Sequence, residues 1–233
     1  MYDLAINLPI YNEGNSISKV VDEWVKYLDN KNINYCIIFS EDGSTDNTKD
    51  VLYSYLDKNK NFINNIVQFR RGYSGAVTSG VELANSEYVL CIDSDGQCDP
   101  NDFIQFWNNR DKAEIIMGYR NPRVDSNARK IYSFMFKVYH QILFGKSLID
   151  PSCPFVLFKK STYYKLDKYL HYTREGFWWG FVAACKKIKL SFFELPVNHR
   201  VRLEGDTQVY NLSKIPGIAF RNALGLIKIK LMK

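Results

Sequence analysis

The chain has 233 residues, 46% of them hydrophobic and 15% aromatic, with a formal net charge of +6. That is enough apolar material for one sizeable core, which excludes a disordered chain, and no apolar run reaches the ~18 residues that cross a bilayer. Five cysteines (Cys36, Cys91, Cys98, Cys153 and Cys185) form no Cys-x-x-Cys pair, which argues against a disulfide framework or zinc site and for a reducing compartment.

Residues 4–8 read as a first strand, and Asn15-Ser16 as the cap of a helix carrying Ile17, Val20, Val21, Trp24 and Leu28 at helical spacing. Asp3, Asn7 and Pro9 interrupt any apolar leader in this opening stretch, so a cytoplasmic location is expected. Residues 35–39 form a second strand that ends in Ser-Glu-Asp-Gly-Ser-Thr-Asp, and a helix with Val51, Leu52, Tyr55 and Leu56 follows. After an Asn/Lys-rich loop over residues 57–65, a third strand is predicted at 66–69. Then come Arg70-Arg71-Gly72-Tyr73-Ser74-Gly75, a helix to about residue 85, and a strand from Tyr88. The alternation predicts an α/β fold, a mostly parallel central sheet flanked by helices.

Gly72, Gly75 and Gly80 do not have the Gly-x-Gly-x-x-Gly spacing of a dinucleotide fingerprint. They are read either as a turn with Ser74 capping a helix, or as an anion site in which Arg70, Arg71 and the helix N-terminus face a phosphate.

The strand from Tyr88 is a short apolar run that stops abruptly at Asp93, Ser94 and Asp95, with Gln97 two residues on. Ligands of open α/β sheets sit just past the carboxyl ends of such strands. Hard divalent cations take oxygen donors, and Mg2+ typically uses one or two carboxylates while substrate phosphates and water fill the rest of its shell. The alternative for Asp-x-Asp alone is a solvated turn with Asp95-Gly96 as punctuation.

Further on, Ser126 is placed as the cap of a helix whose apolar stripe comprises Ile131, Phe134, Met135, Val138, Ile142 and Leu143, expected to pack on the core. The tail is basic: after Asp206 no acid occurs, while Lys214, Arg221, Lys228, Lys230 and Lys233 do. Phe220, Leu224, Ile227 and Leu231 share one helical face there, which suits either an anionic membrane surface or docking on the body of the protein. A peripheral membrane surface is therefore an expected partner and nucleic acid is not. The expected division is residues 1–205 as one domain and 206–233 as a basic amphipathic extension.

Taken in order, several segments form one pattern: Leu-Pro-Ile-Tyr-Asn-Glu at 8–13, Glu-Asp-Gly-Ser-Thr-Asp at 41–46, Arg-Gly-Tyr-Ser-Gly-Ala from Arg71 with Gly80 and Ala84, and Asp93-Ser94-Asp95 with Gln97. Gly118-Tyr119-Arg120, Asp150-Pro151-x-x-x-Phe155, Glu194-Leu195-Pro196 and Arg202-x-x-Gly205-x-Thr207 continue it. The set resembles the family 2 glycosyltransferases of GT-A fold, and within them the dolichol-phosphate and polyprenyl-phosphate sugar transferases. The resemblance implies metal-dependent, inverting transfer from a nucleotide-sugar donor, UDP- or GDP-linked, to a polyprenyl phosphate. It implies that Pro9, Tyr11, Glu13 and Asp42 line the base and ribose pocket, that Arg71 and Gly75 belong to the donor site, and that Asp93 lies near ribose and metal. Asp95 and Gln97 would hold Mg2+ or Mn2+ against the diphosphate, and Arg120, Arg129 and Arg202 would position phosphates of donor and acceptor. Oligomeric state is not legible.

The chain departs from the family pattern at Glu41, at Cys153-Pro154 before Phe155, and at Gln208 where a lysine is usual, which bears on the acceptor. A phosphate acceptor is largely ionised at neutral pH and needs no base. A glycan hydroxyl, as in surface polysaccharide synthesis, would need one, and Asp150 and Glu175 are the candidates. A sugar nucleotidyltransferase would carry a Gly-rich loop where this chain has Pro9-Ile10-Tyr11-Asn12-Glu13. A non-catalytic sugar-binding module would have no use for Asp93, Asp95 and Gln97.

Overall fold

A computed structural model describes residues 1–124, 127–203 and 215–232. Its centre is a seven-stranded sheet in the order β3-β2-β1-β4-β6-β5-β7. The strands are β1 (Tyr2–Ile10), β2 (Tyr35–Glu41), β3 (Phe62–Asn64), β4 (Ser86–Cys91), β5 (Ile115–Arg120), β6 (Val156–Lys159) and β7 (Phe192–Val197). All pairings are parallel except those of β6, which runs antiparallel to both β4 and β5.

Every residue of β2 is buried, as are residues 4–10 of β1, because helices cover both faces and leave no polar side to alternate. On one face α1 (Ile17–Asp29) inserts Ile17, Val20, Val21, Trp24 and Leu28, the predicted set. Trp24 packs there on Phe103 and Phe155. On the other, α3 (Tyr73–Leu83) and α8 (Phe177–Lys187) cover Ala5, Ile38 and Val89. Each such fully buried Leu, Ile or Phe stabilises the fold by about 1.5–3 kcal/mol. Gly80 is required where α3 crosses the sheet, since a Cβ would lie 2.1 Å from Asn7 Oδ1 and Ser40 Oγ.

Three expectations are corrected. The third strand is Phe62–Asn64, not residues 66–69, because Phe62 stacks on Phe39 with ring centroids 5.1 Å apart and so fixes which segment pairs with β2. Ser74 does not cap α3: Gly72, at φ 81°, holds the N-cap position and Ser74 is buried inside the first turn. In α5 (Asn127–Phe144) most of the predicted stripe faces outward rather than into the core, with Ile131, Phe134, Met135 and Ile142 59–76% exposed, while Leu143 of the stripe packs against the core as expected, beside Phe136 and Tyr139, and His140 is buried.

The tail helix α9 (Ile215–Leu231) packs on α8 and α5 through Leu226 and Ile229, which are fully buried, and Phe220, Leu224 and Leu231 stay exposed. The boundary expected at residue 205, together with Ser126, Asp206, Gly205, Thr207, Gln208 and Lys214, lies outside the described residues. No helix among the described residues is long and apolar enough to cross a membrane.

From β1 the chain winds outward to β2 and β3 on one side and returns to β4 on the other. The carboxyl ends of β1, β2 and β4 therefore meet where the winding reverses, the position at which open sheets of this kind bind ligands.

Candidate active site

At this edge lies a cavity of about 900 Å3. Pro9, Tyr11 and Glu13 reach it from the end of β1, Asp42 from β2, Asp93, Asp95 and Gln97 from the segment after β4, and Arg120 and Arg123 from β5 and the turn beyond. The Ser94 hydroxyl donates to the Pro9 carbonyl at 2.8 Å and ties the first and third of these segments together.

Asp42 is buried and its oxygens are occupied: it accepts from the backbone amides of Arg71 (2.6 Å) and Gly72 (3.0 Å) and from Arg70 Nε (3.4 Å). It thereby fixes the start of α3 against β2, and its wall of the cavity is rigid. The Arg70 guanidinium lies 3.8 Å from the centre of the Tyr11 ring, a cation–π contact that holds the ring in place.

Glu13 accepts from the Ser16 hydroxyl at 2.7 Å and pairs with Arg202. Burial raises its pKa, and Ser16 and Arg202 oppose the rise. Ser16 thus occupies the helix N-cap without capping through its side chain; its hydroxyl is spent on Glu13. Arg202 also lies 3.6 Å from Asp95 Oδ2, so it bridges the two acids from the segment after β7.

Asp93 accepts a 2.7 Å hydrogen bond from the Tyr73 hydroxyl. Burial, and then the charge of Asp95 beside it, push its pKa up to about 7. Two carboxylates held together at that electrostatic cost are what a divalent cation relieves. Gln97 donates its amide nitrogen to the Arg200 carbonyl at 3.0 Å, which makes its amide oxygen the acceptor end. The donors are thus all oxygen, and they fit Mg2+ or Mn2+. Among the described residues no three Asp, Glu, His or Cys side chains converge as a metal cluster, so a cation here would draw further ligands from substrate and water.

Arg120 is clamped by Asp150 and also donates to Ser152 Oγ at 2.7 Å. This pair holds the Asp150 carboxyl down at about 2 despite its burial. Arg123 donates to the Ser133 hydroxyl of α5 at 3.1 Å. The same cavity has apolar walls as well, formed by Phe136 and Tyr139 of α5, Trp178 and Trp179 of α8, and Ile218, Ala219 and Phe220 of α9.

Most of the predicted residues therefore converge: Pro9, Tyr11, Glu13, Asp42, Asp93, Asp95, Gln97, Arg120 and Arg202 line one cavity, and Asp150 stands directly behind Arg120. Arg71 and Gly75 do not line it. The Arg71 guanidinium folds back toward Asn65 Oδ1 and the Glu41 carbonyl, Gly75 packs on the Arg71 side chain, and Arg70 takes the cavity-facing place instead. The side chain of Arg129 lies outside the described part of the structure. Arg123 and Tyr73 are not picked out by the sequence, although Tyr73 stands inside the Arg-Gly-Tyr-Ser-Gly segment; the Phe177-Trp178-Trp179 run after Glu175 reads either as rings that stack on a sugar or isoprenoid or as core, and all three line the cavity.

A mostly parallel sheet with acidic residues past its central strand is the architecture of the GT-A glycosyltransferases, and the family match assigns the chain to them. Residues 6–167 match the Glycosyl transferase family 2 description, and the chain belongs to that family. It is similar to the dolichyl-phosphate beta-glucosyltransferase of Dictyostelium discoideum, at 28% identity over 97% of this chain and 77% of that protein. It is also similar to the human protein of the same name, at 27% over 83% and 64%. The undecaprenyl-phosphate 4-deoxy-4-formamido-L-arabinose transferase of Edwardsiella ictaluri is 23% identical over 93% and 66%. Among solved structures, glucosyl-3-phosphoglycerate synthase from Mycobacterium tuberculosis, in complex with Mn2+, UDP and glucosyl-3-phosphoglycerate, superposes with a TM-score of 0.71. It does so at 13% identity, over 100% of this chain and 81% of that one.

Proposed function

We propose that this glycosyltransferase moves a sugar from a nucleoside diphosphate donor to the phosphate of a polyprenyl lipid, with inversion at the anomeric carbon, on the cytoplasmic surface of a membrane. The observation that carries the reading is that one cavity combines three kinds of lining. Acids past the ends of β1, β2 and β4 suit a diphosphate and its cation, Arg120, Arg123 and Arg202 suit phosphates, and side chains of α5, α8 and α9 supply an apolar groove. The names of the relatives, which are transferases of dolichyl and undecaprenyl phosphates, support the same acceptor.

In this reading Pro9, Tyr11 and Asp42 seat the base and ribose. Asp93, Asp95 and Gln97 would hold Mg2+ or Mn2+, which supplies Lewis-acid neutralisation of the departing diphosphate, worth several kcal/mol. Arg202, anchored between Glu13 and Asp95, sets the position of the donor phosphates. Arg120 and Arg123 line the same cavity, where charge-assisted hydrogen bonds would orient an acceptor phosphate for in-line attack. Such a phosphate, with a second pKa near 6, is already a nucleophile at neutral pH.

A hydroxyl acceptor would need a base, and neither carboxylate considered for that task suits it. Asp150 is locked by Arg120 and held near a pKa of 2, and Glu175 is paired with Arg221 at 3.0 Å. The exposed apolar side chains of α5 and α9, accompanied by Lys228 and Lys230 in the last turn of α9, support contact with a lipid surface.

The test is a transfer assay with Mn2+, UDP- and GDP-sugars and a short-chain polyprenyl phosphate, read by mass spectrometry. A sugar-phosphate lipid is expected. Donor consumption with no lipid product would contradict the acceptor assignment.

A further inference from the structure

Trp178 forms part of the apolar groove wall, yet its indole nitrogen is used on the protein side, donating to the Tyr73 hydroxyl at 2.8 Å. Tyr73 lies 2.7 Å from Asp93 Oδ1. An indole N–H can only donate, and a phenol has a single hydrogen. With Trp178 pointing its hydrogen at Tyr73, the phenolic hydrogen is left for Asp93, and the direction of the chain is fixed from the groove to the carboxylate. The geometry is well supported: Trp178 is 6% exposed, and Phe177 packs edge-on against both the Tyr73 and the Trp178 rings, with centroids 6.4 and 5.0 Å away.

We infer that Tyr73 and Trp178 are positioning residues for the cation site, holding the Asp93 carboxylate in its ligating orientation through the hydrogen-bond chain Trp178 to Tyr73 to Asp93. The inference rests on the proposed metal-assisted transfer. It goes beyond that proposal in joining an apolar wall of the cavity to one of its carboxylates. The residue that forms the groove wall also sets the orientation of a donor-side carboxylate, so the groove wall and the cation site are one mechanical unit. One oxygen of Asp93 is committed to Tyr73, and the side chain cannot rotate without breaking the chain. Partners that orient a metal ligand in this way typically contribute 10–100-fold to metal affinity.

The experiment is a titration of the full chain with Mn2+ alone, following the electron paramagnetic resonance signal of free Mn2+. The proteins are wild type, Tyr73→Phe, Trp178→Phe, the double variant, and Tyr163→Phe. Tyr163 is a buried tyrosine of the same core layer as Trp178 that does not line the cavity, and serves as a control for general loosening of that layer. Tyr73→Phe keeps the ring and its packing and removes only the hydroxyl.

The expected result is a Kd for Mn2+ raised about tenfold or more by Tyr73→Phe. Trp178→Phe should raise it by less, the double variant should match Tyr73→Phe, and Tyr163→Phe should match wild type. The coupling follows because Trp178 acts only through the hydroxyl that Tyr73→Phe removes. A Tyr73→Phe Kd within about twofold of wild type would overturn the inference. So would a double variant whose loss is the product of the two single losses, or a Tyr163→Phe loss equal to that of Tyr73→Phe. A wild type that binds no Mn2+ alone is titrated again with UDP supplying the missing ligands, against a protein-free Mn2+–UDP blank, and the same comparisons are made there; failure with UDP as well would instead overturn the metal-assisted reading beneath it, and is distinguishable from all of these.

Discussion

Arg120 and Asp150 form a two-point ion pair, Nε to Oδ2 at 2.6 Å and Nη2 to Oδ1 at 2.9 Å, with their side chains only 10% and 8% exposed. The pair fixes the end of β5 to the loop before β6, and so holds a cavity-lining guanidinium in a set orientation. Removing one partner of a buried pair leaves the other charge uncompensated, which costs about 3–5 kcal/mol. Asp150→Asn is therefore expected to lower the free energy of unfolding by an amount of that order, read as a lower urea midpoint at unchanged m, and to reduce transfer through a mis-set Arg120.

The same pair sets an acid limit. The Asp150 carboxyl is at about 2 in the fold, below its ordinary value of 3.8. Its folded pKa is depressed, so the stability it contributes is complete above pH ~4 and is lost as pH falls through ~2, a change of about 2 kcal/mol. Urea denaturation of wild type and Asp150→Asn across this window should show the difference between them shrinking toward pH 2. A constant difference would contradict the pairing.

A second pH dependence comes from His140, which is fully buried between Phe144 and Trp179 and has no well-formed hydrogen bond on either ring nitrogen among the described residues. Burial, and then Lys186, lower its pKa from 6.5 to about 4. Between those values the unfolded chain binds a proton that the fold rejects, so stability falls as pH drops from ~6.5 to ~4, by up to about 3 kcal/mol. His140→Phe keeps an aromatic ring and removes the titration. It should be as stable as wild type at pH 7.5 and more stable at pH 4.5, measured by thermal denaturation.

Asp95→Asn should lower kcat about a thousandfold, as should EDTA, with activity restored to wild type but not to the variant by added Mn2+. The Tm should be kept, because the substitution relieves repulsion with Asp93. Retained transfer in EDTA would remove the metal from the mechanism.

The outward apolar side chains of α5 give a further expectation. Phe134 and Ile142 are 66% and 76% exposed and do not line the cavity. Phe134→Glu with Ile142→Glu should weaken co-sedimentation with anionic phospholipid vesicles by tenfold or more, since each such side chain contributes about 1.5–3 kcal/mol when taken out of water. Hydrolysis of the donor in detergent-free solution should not change.

What the sequence made legible follows from how local each signal is. The run from Tyr88 ends so sharply at Asp93 that strand and site are visible together, and the buried set of α1 is visible from its spacing alone. β3 was misplaced because residues 66–69 are the more apolar stretch, whereas Phe62 wins its position by stacking on Phe39, a contact the local pattern does not carry. In α5 periodicity identifies which residues share a face but not which face turns inward, and the aromatic inner side at Phe136 and Tyr139 prevailed. Neighbouring arginines pose the same ambiguity, and Arg70 rather than Arg71 faces the cavity. The Tyr73–Trp178 bond spans 105 positions and has no local signature at all.

The most direct test of phosphate as the acceptor compares a short-chain polyprenyl phosphate with the matching free polyprenol, each supplied with Mn2+ and the radiolabelled nucleotide sugar that the enzyme accepts. Label should enter the organic phase only with the phosphate, in a product from which mild acid releases the sugar. Equal transfer to the free alcohol, or label that passes only to water or to a glycan, would contradict a mechanism without a base, in which the acceptor phosphate itself attacks the anomeric carbon.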